Sequence, residues 1–258
     1  MSRGKVFFIG AGPGDPELLT IKGQRLIREA DLVLYAGSLV PPEVVACAKE
    51  GARVVDSAPL CLEETHALMR DCALHGGMVA RVHTGDPALY GAVREQARLL
   101  DADGIPWEVV PGVSAAFAAA AAGKVSFTVP DVTQSLVITR LEGRTPVPER
   151  ERLRRLAAHG TSLALYLSAS EPDRIQAELL SVLPPETPIL CACRVGWPEQ
   201  RLAWARVETL ADVIRKQGFA RQTVFLVLPG QNCTDDRSKL YDAEFTHGRR
   251  NSGTERKN

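Results

Sequence analysis

The sequence predicts an α/β chain of two domains, an N-terminal one with a mostly parallel sheet and a C-terminal one with a mixed sheet, with a ligand cleft between them. Three observations lead there. Apolar runs of strand length alternate with helical patterns up to about residue 122, the signature of β-α-β units in a parallel sheet. Three of those runs end in turns built from glycine and proline. Beyond about residue 124 the strand-like runs come in pairs separated by short loops, such as the one from Arg194 to Arg201, which suits hairpins. The expected domains are residues 1–112 and 113–248, followed by a polar tail at 249–258 expected to be disordered.

The first strand is expected at residues 5–9, where Val6, Phe7, Phe8 and Ile9 are consecutive and apolar, as in a buried strand. The turn after it, Gly10-Ala11-Gly12-Pro13-Gly14-Asp15-Pro16, holds three glycines, which permit a sharp backbone path where a Cβ would clash. A dinucleotide loop needs a third small residue at the helix start, and this chain has Asp15 there, whose carboxylate repels a pyrophosphate. Asp15 and Pro16 read instead as a helix start, a capping oxygen followed by a proline where no N–H is needed. Leu18, Leu19, Leu26 and Ile27 then recur at helical spacing, and residues 31–35 return to strand. Pro41 and Pro42 open a second helix, residues 52–55 form a short strand, and Leu62–Leu74 is a helix with Glu63 and Glu64 in its first turn. A strand at 78–83, a helix at 91–100, a strand at Trp107–Val110 and an alanine-rich helix at 115–122 follow. In the second domain strands are expected at 132–140, 163–168, 189–194, 201–207 and 223–228, with helices at 149–156 and 172–183.

Composition narrows the function classes. Lys plus Arg equals Asp plus Glu, 31 each in 258 residues, so the electrostatic footprint of a nucleic-acid binder is missing and charge recognition has to be local. The apolar run before Gly10 is too short for a signal peptide, and no stretch approaches the roughly 18 apolar residues of a membrane span, so a cytoplasmic protein is expected. The six cysteines contain no C-x-x-C pair and the five histidines no H-x-H or H-x-x-x-H spacing, which predicts no protein-bound zinc site. Cys191 and Cys193 share one face of a strand and read as small buried side chains.

In open parallel sheets ligands sit beyond the carboxyl ends of the strands. Three glycine-proline loops fall there: residues 10–16, Thr84-Gly85-Asp86-Pro87 and Pro111-Gly112-Val113-Ser114-Ala115. Asp86-Pro87 repeats the cap-and-proline pattern of Asp15-Pro16, and Ser114 also suits the cap of the alanine helix. Plain turns need no such uniform chemistry, so the three loops form the candidate site. In the second domain Arg140 and Arg144 flank Gly143 beside Pro146 and Pro148, a rigid loop on which guanidinium forks are presented to carboxylates. The arginines of the following helix, among them Arg150, Arg152, Arg154 and Arg155, alternate with Glu149 and Glu151 as a solvated face.

The motifs Gly10-Ala-Gly-Pro-Gly-Asp15, Thr84-Gly-Asp-Pro87 and Val110-Pro-Gly-Val-Ser-Ala115 resemble those of the tetrapyrrole methyltransferases, over nearly the whole chain to about Arg249. Tyr35-Ala-Gly-Ser-Leu-Val-Pro41, the stretch from Arg81 to Gly91, Thr139-Arg140 with Gly143-Arg-Thr-Pro146, and Ser238-Lys-Leu-Tyr-Asp242 are similar to the branch of that family that methylates precorrin-4 at C11. The siroheme branch carries an acidic and basic pair where this chain has Ala36-Gly37-Ser38, which speaks against uroporphyrinogen III as substrate.

The resemblance implies a two-domain fold, S-adenosyl-L-methionine as cofactor with S-adenosyl-L-homocysteine as product, a small-molecule tetrapyrrole substrate, a homodimer, and no nucleic-acid or membrane partner. It implies a cofactor set of Pro13, Gly85, Asp86, Leu89, Ser114, Ala115, Leu167 and Gly196. Arg140 and Arg144 are the expected contacts for the substrate's carboxylates. A methyl group on a sulfonium is already activated, so neither a metal nor a covalent intermediate is required and no side chain is singled out as acid or base. The protein's task is alignment, which supplies roughly 7 to 11 kcal/mol in well-oriented reactions. Other acceptors on the same fold, including that of diphthine synthase, remain alternatives. So does a nicotinamide-dependent oxidoreductase, which Asp15 and Ala36 oppose.

Overall fold

The computed structural model describes residues 4–232. The expected tail at 249–258, the motif at 238–242 and Cys233 lie outside the described residues. The chain divides into two compact units, Met1–Ala122 with Ala192–Leu202, and Gly123–Cys191 with Ala203–Asn258.

In unit 1, β1 (Val6–Gly10), β2 (Leu32–Tyr35), β3 (Arg53–Asp56), β4 (Val79–His83) and β5 (Trp107–Val110) form one sheet in the order β3-β2-β4-β1-β5. All four pairings are parallel. Its helices are α1 (Ile21–Glu29), α2 (Pro42–Val45), α3 (Leu62–Leu74), α4 (Val93–Ala102) and α5 (Ala115–Gly123), the last ending at the unit boundary. Consecutive apolar residues in β1 follow from burial on both faces. Ile9 packs with Val33 and Val82 beneath Leu26 and Ile27 of α1 and Val44 of α2. Phe8 packs with Leu34 and Val79 beneath Met69 of α3 and Leu100 of α4. The chain leaving β1 runs toward β2, whereas the chain leaving β4 crosses to β5. These connections part at the C-terminal ends of two adjacent strands, the place where open α/β sheets leave a crevice.

The second sheet, β6 (Leu136–Arg140), β7 (Ser162–Tyr166), β8 (Pro188–Cys193), β9 (Arg201–Arg206) and β10 (Thr223–Val227), takes the order β6-β7-β10-β8-β9 and belongs to unit 2 except for the end of β8 and the start of β9. β6 runs parallel to β7 and β10 antiparallel to it, so the sheet is mixed, as expected. Cys191 and Cys193 are buried, and burial pushes the Cys191 thiol up to about 12, which leaves it inert.

Local differences from the expected elements have identifiable causes. Asp15 caps only the 3₁₀ turn Pro16–Leu18, by accepting from Glu17 N at 2.8 Å; Thr20 caps α1 through Gly23 N at 3.0 Å, so Leu18 and Leu19 precede the helix. The charged helix expected at 149–156 is broken at Arg152, whose ψ of 141 separates the 3₁₀ turn Glu149–Glu151 from α6 (Leu153–Ala157). Residues 129–133 close a tight turn by a Val129–Thr133 bridge, so β6 begins only at Leu136. Helix α7 (Pro172–Leu180) is shorter than its pattern, and α8 (Leu210–Gln217) was not anticipated.

Candidate functional site

The loops after β1 and β4 are fastened to each other by main chain. Ala11 N donates to His83 O at 2.8 Å, Gly85 N to Gly12 O at 2.7 Å and Gly12 N to Gly85 O at 3.3 Å, an isolated antiparallel bridge beyond the parallel ladder. The Asp86 carboxylate accepts from Ala88 N at 2.8 Å and from Gly112 N at 3.0 Å, tying the second loop to the third. Asp86-Pro87 therefore starts no helix. α4 begins at Val93, after Tyr90 and Ala92 have taken left-handed φ values of 58 and 50.

The glycines divide by what a side chain would meet. A Cβ on Gly10 would lie 2.5 Å from Gly112 Cα, and one on Gly112 would lie 2.2 Å from Gly85 O. These two let the loops pack against each other. Gly85 differs: it has φ +64 and nothing within 4 Å of the Cβ position. It leaves an open cradle over a backbone fixed on both sides.

The loop after β1 also meets Gly196 and Trp197. Trp197 donates through Nε1 to Pro13 O at 2.9 Å, and a Cβ on Gly14 would fall 2.3 Å from the indole Cδ1. Gly196, with φ +80, lies so close to the Asp15 main chain that a Cβ would be 2.8 Å from Asp15 N. The Arg194 guanidinium stands 5.8 Å from the Trp197 ring centroid. Unit 1 thus brings together Pro13, Gly85, Asp86 and Gly196. Leu89 N closes the Asp86 turn at 3.1 Å, and Ser114 O accepts from Phe117 N and Ala118 N in the first turn of α5, which Ala115 begins. Trp197 was overlooked; its signal was a lone tryptophan beside a glycine after an apolar strand.

Leu167, in unit 2, has φ +52 and is 67% exposed. A left-handed leucine is strained, and such strain persists where neighbours over-determine it. Ser168 does so, accepting from Leu141 N at 2.9 Å and donating to Tyr166 O at 2.6 Å.

Arg140 bonds its own loop: Nη1 donates to Leu141 O (3.1 Å) and Thr145 O (3.2 Å), and Nη2 to Pro146 O (3.1 Å). Carbonyls of a proline-rich loop, which have no helix or sheet partner, take up both ends of the fork. Arg144 is exposed and pairs with no acid among the described residues. Glu142 is held by Arg174 at 2.7 Å.

No helix among the described residues is long and apolar enough to cross a membrane, and no group of three or more metal-ligating side chains occurs among them.

A backbone-built ligand cradle at the switch point of a parallel sheet, in a chain with a second mixed α/β unit, defines a class of small-ligand α/β proteins. The sequence profile of the Tetrapyrrole (Corrin/Porphyrin) Methylases matches residues 5–211, and the chain belongs to that family. It is 45% identical to a cobalt-precorrin-4 C(11)-methyltransferase of Priestia megaterium over 95% of this chain and 96% of that one. Among solved structures it is similar to a cobalamin biosynthetic enzyme, cobalt precorrin-4 methyltransferase (CbiF), with a TM-score of 0.85 and 44% identity over 87% and 94% of the two chains. It is also similar to a uroporphyrin-III C-methyltransferase of Thermus thermophilus complexed with S-adenosyl homocysteine, with a TM-score of 0.71 and 30% identity over 87% and 92%.

Proposed function

We propose that this chain is an S-adenosyl-L-methionine-dependent methyltransferase that methylates C11 of precorrin-4 or cobalt-precorrin-4 in cobalamin biosynthesis. The observation that carries the reading is the Gly85 cradle, open where Gly10 and Gly112 are closed, in a chain of the tetrapyrrole methylase family. The cofactor, when bound, supplies a methyl group activated on a positively charged sulfur. Pro13, Gly85, Asp86, Leu89, Ser114, Ala115, Leu167 and Gly196 are proposed to hold it.

Asp15 and Asp86 also accept main-chain N–H groups through their carboxylates and so shape the loops. Arg144 is proposed as a substrate-carboxylate contact, and Arg140 as the brace that holds its loop. The protein is proposed to work as a cytoplasmic homodimer.

Incubation with methyl-¹³C cofactor and precorrin-4, with and without cobalt, followed by carbon NMR of the product tests the assignment. The expected label is on C11. Label on another ring carbon would move the chain to another branch of the family, and absence of transfer to any tetrapyrrole would overturn the reading.

A further inference from the structure

β4 carries Arg81 and His83 two residues apart, so both leave the sheet on one face, the face on which Phe8 and Leu34 stand opposite Arg81. The Arg81 guanidinium donates through Nε to Gln96 Oε1 at 3.0 Å and through Nη1 to Ser57 Oγ at 2.8 Å. Its Nη2 donates to nothing, and no carboxylate pairs with it, among the described residues. Other arginines of the chain do meet acids: Arg25 meets Glu29, Arg174 meets Glu142 and Glu178, and Arg215 meets Asp173.

His83 is 8% exposed and its Nε2 has no partner, with the Phe8 ring 5.8 Å away. Burial pushes Arg81 only to about 10, so it stays charged at neutral pH. Burial and then the Arg81 charge push His83 to about 3, so it stays neutral. A desolvated cation without a counter-charge is unfavourable, and an unmet imidazole nitrogen beside it adds to that.

Both residues lie at the edge that carries the cradle. His83 stands opposite Gly10 at the strand ends and Gly85 follows two residues later. Ser57 follows β3 and bonds Tyr35 O at 3.1 Å, and Gln96, in the first turn of α4, bonds the carbonyl of left-handed Ala92 at 3.1 Å.

The geometry points to an anion seat in which Arg81, with His83 beside it, receives a carboxylate arm of the tetrapyrrole at the C-terminal edge of the parallel sheet. The inference rests on the substrate class proposed above and gives its anionic arms a partner in unit 1, while the Arg140 fork of unit 2 bonds its own loop. Arg81 offers Nη2 to the carboxylate, and neutral His83 can turn an Nε2–H toward it without competing for the charge. The competing role is a brace: Arg81 also joins the ends of β2 and β3 to α4, and removing it disturbs the loop before α4.

Three variants separate the two roles. Binding of uroporphyrin, an eight-carboxylate tetrapyrrole, is followed by fluorescence in saturating S-adenosyl-L-homocysteine, whose own affinity is measured by calorimetry. Arg81→Gln is expected to weaken uroporphyrin binding tenfold or more with cofactor-product affinity within twofold of the parent. Arg81→Lys, which keeps the charge but not the fork, is expected to recover most of the loss. Gln96→Leu, which breaks the brace and keeps the cation, is expected to lower the melting temperature and spare uroporphyrin binding. The seat is overturned if the parent protein binds no uroporphyrin, if Arg81→Gln binds it as the parent does, if Lys fares no better than Gln, or if Gln96→Leu loses as much affinity as Arg81→Gln. A parent protein that binds uroporphyrin through Arg81 yet fails the labelling experiment would keep the seat and lose the C11 assignment.

Discussion

The loops of unit 1 and the arginine loop of unit 2 both read from sequence as ligand-facing, and they are held in opposite ways. In unit 1 the first two loops are fastened main chain to main chain, Gly12 to Gly85 and Ala11 to His83, with the third held to them by the Asp86 carboxylate and by glycines where a Cβ would collide. In unit 2 the loop at 141–146 is fastened by a side chain, with Arg140 gathering three carbonyls. A backbone-fastened loop frees its surface for a ligand, whereas a side-chain-fastened loop consumes the very group that was expected to recognise one.

The largest expected effect tests the main-chain fastening. Gly112→Ala places a methyl 2.2 Å from Gly85 O and 2.7 Å from Gly10 Cα, both main-chain atoms that cannot turn aside. Overpacking of this kind costs about 3 kcal/mol, at the high end for inserted carbon. Urea unfolding should show the midpoint falling sharply; an unshifted midpoint would mean that the three loops separate easily.

Gly85→Val should act on the ligand more than on the fold. Strain at φ +64 costs about 1–2 kcal/mol of stability, and S-adenosyl-L-homocysteine binding should weaken more than tenfold, or ~1.4 kcal/mol. Gly160→Val is the control, since Gly160 has φ +66 and nothing within 4 Å of its Cβ position. Calorimetry and thermal melts on both variants should show comparable loss of stability but loss of affinity only at Gly85. Equal affinities would remove Gly85 from the cradle.

The two Asp-Pro signatures should separate next. Asp86→Ala frees Gly112 N, 26 residues away, as well as Ala88 N, whereas Asp15→Ala frees only Glu17 N. The expected costs are about 2 kcal/mol and about 1 kcal/mol, from unfolding curves of the two proteins. Reversal of that order would show that the tie between the second and third loops carries little.

The arginine loop supplies the smallest effect on stability. Arg140→Ala should lower it by about 1 kcal/mol with little change in the Michaelis constant for the tetrapyrrole. Arg144→Ala should leave the melting temperature alone and raise that constant roughly tenfold. Steady-state kinetics with the opposite pattern would return Arg140 to the substrate and erase the contrast between the two regions.

In unit 1, β1 and β2 were legible because they are buried on both faces and read as unbroken apolar runs, whereas β3 and β5, at the edges of the sheet, are shorter runs that carry charge and exposure. Leu62–Leu74 and Trp107–Val110 fall where their patterns put them. The loops were legible because only glycine permits their paths. Elements set by a single capping contact were not: Thr20 rather than Asp15 starts α1, and one extended residue, Arg152, divides what reads as one helix.

By itself the sequence determined the α/β class, the mixed second sheet and the three loops, since these depend on hydrophobic period and on the steric needs of glycine, both local properties. Tertiary structure decided which glycine faces space and which faces its neighbours, and it set Arg140 on the carbonyls of its own loop while leaving Arg81 without a counter-charge among the described residues. A side chain's partner is fixed by what the fold brings within hydrogen-bond reach, and contacts 26 to 184 residues apart, such as Asp86 with Gly112 and Trp197 with Pro13, leave no periodic trace in the chain.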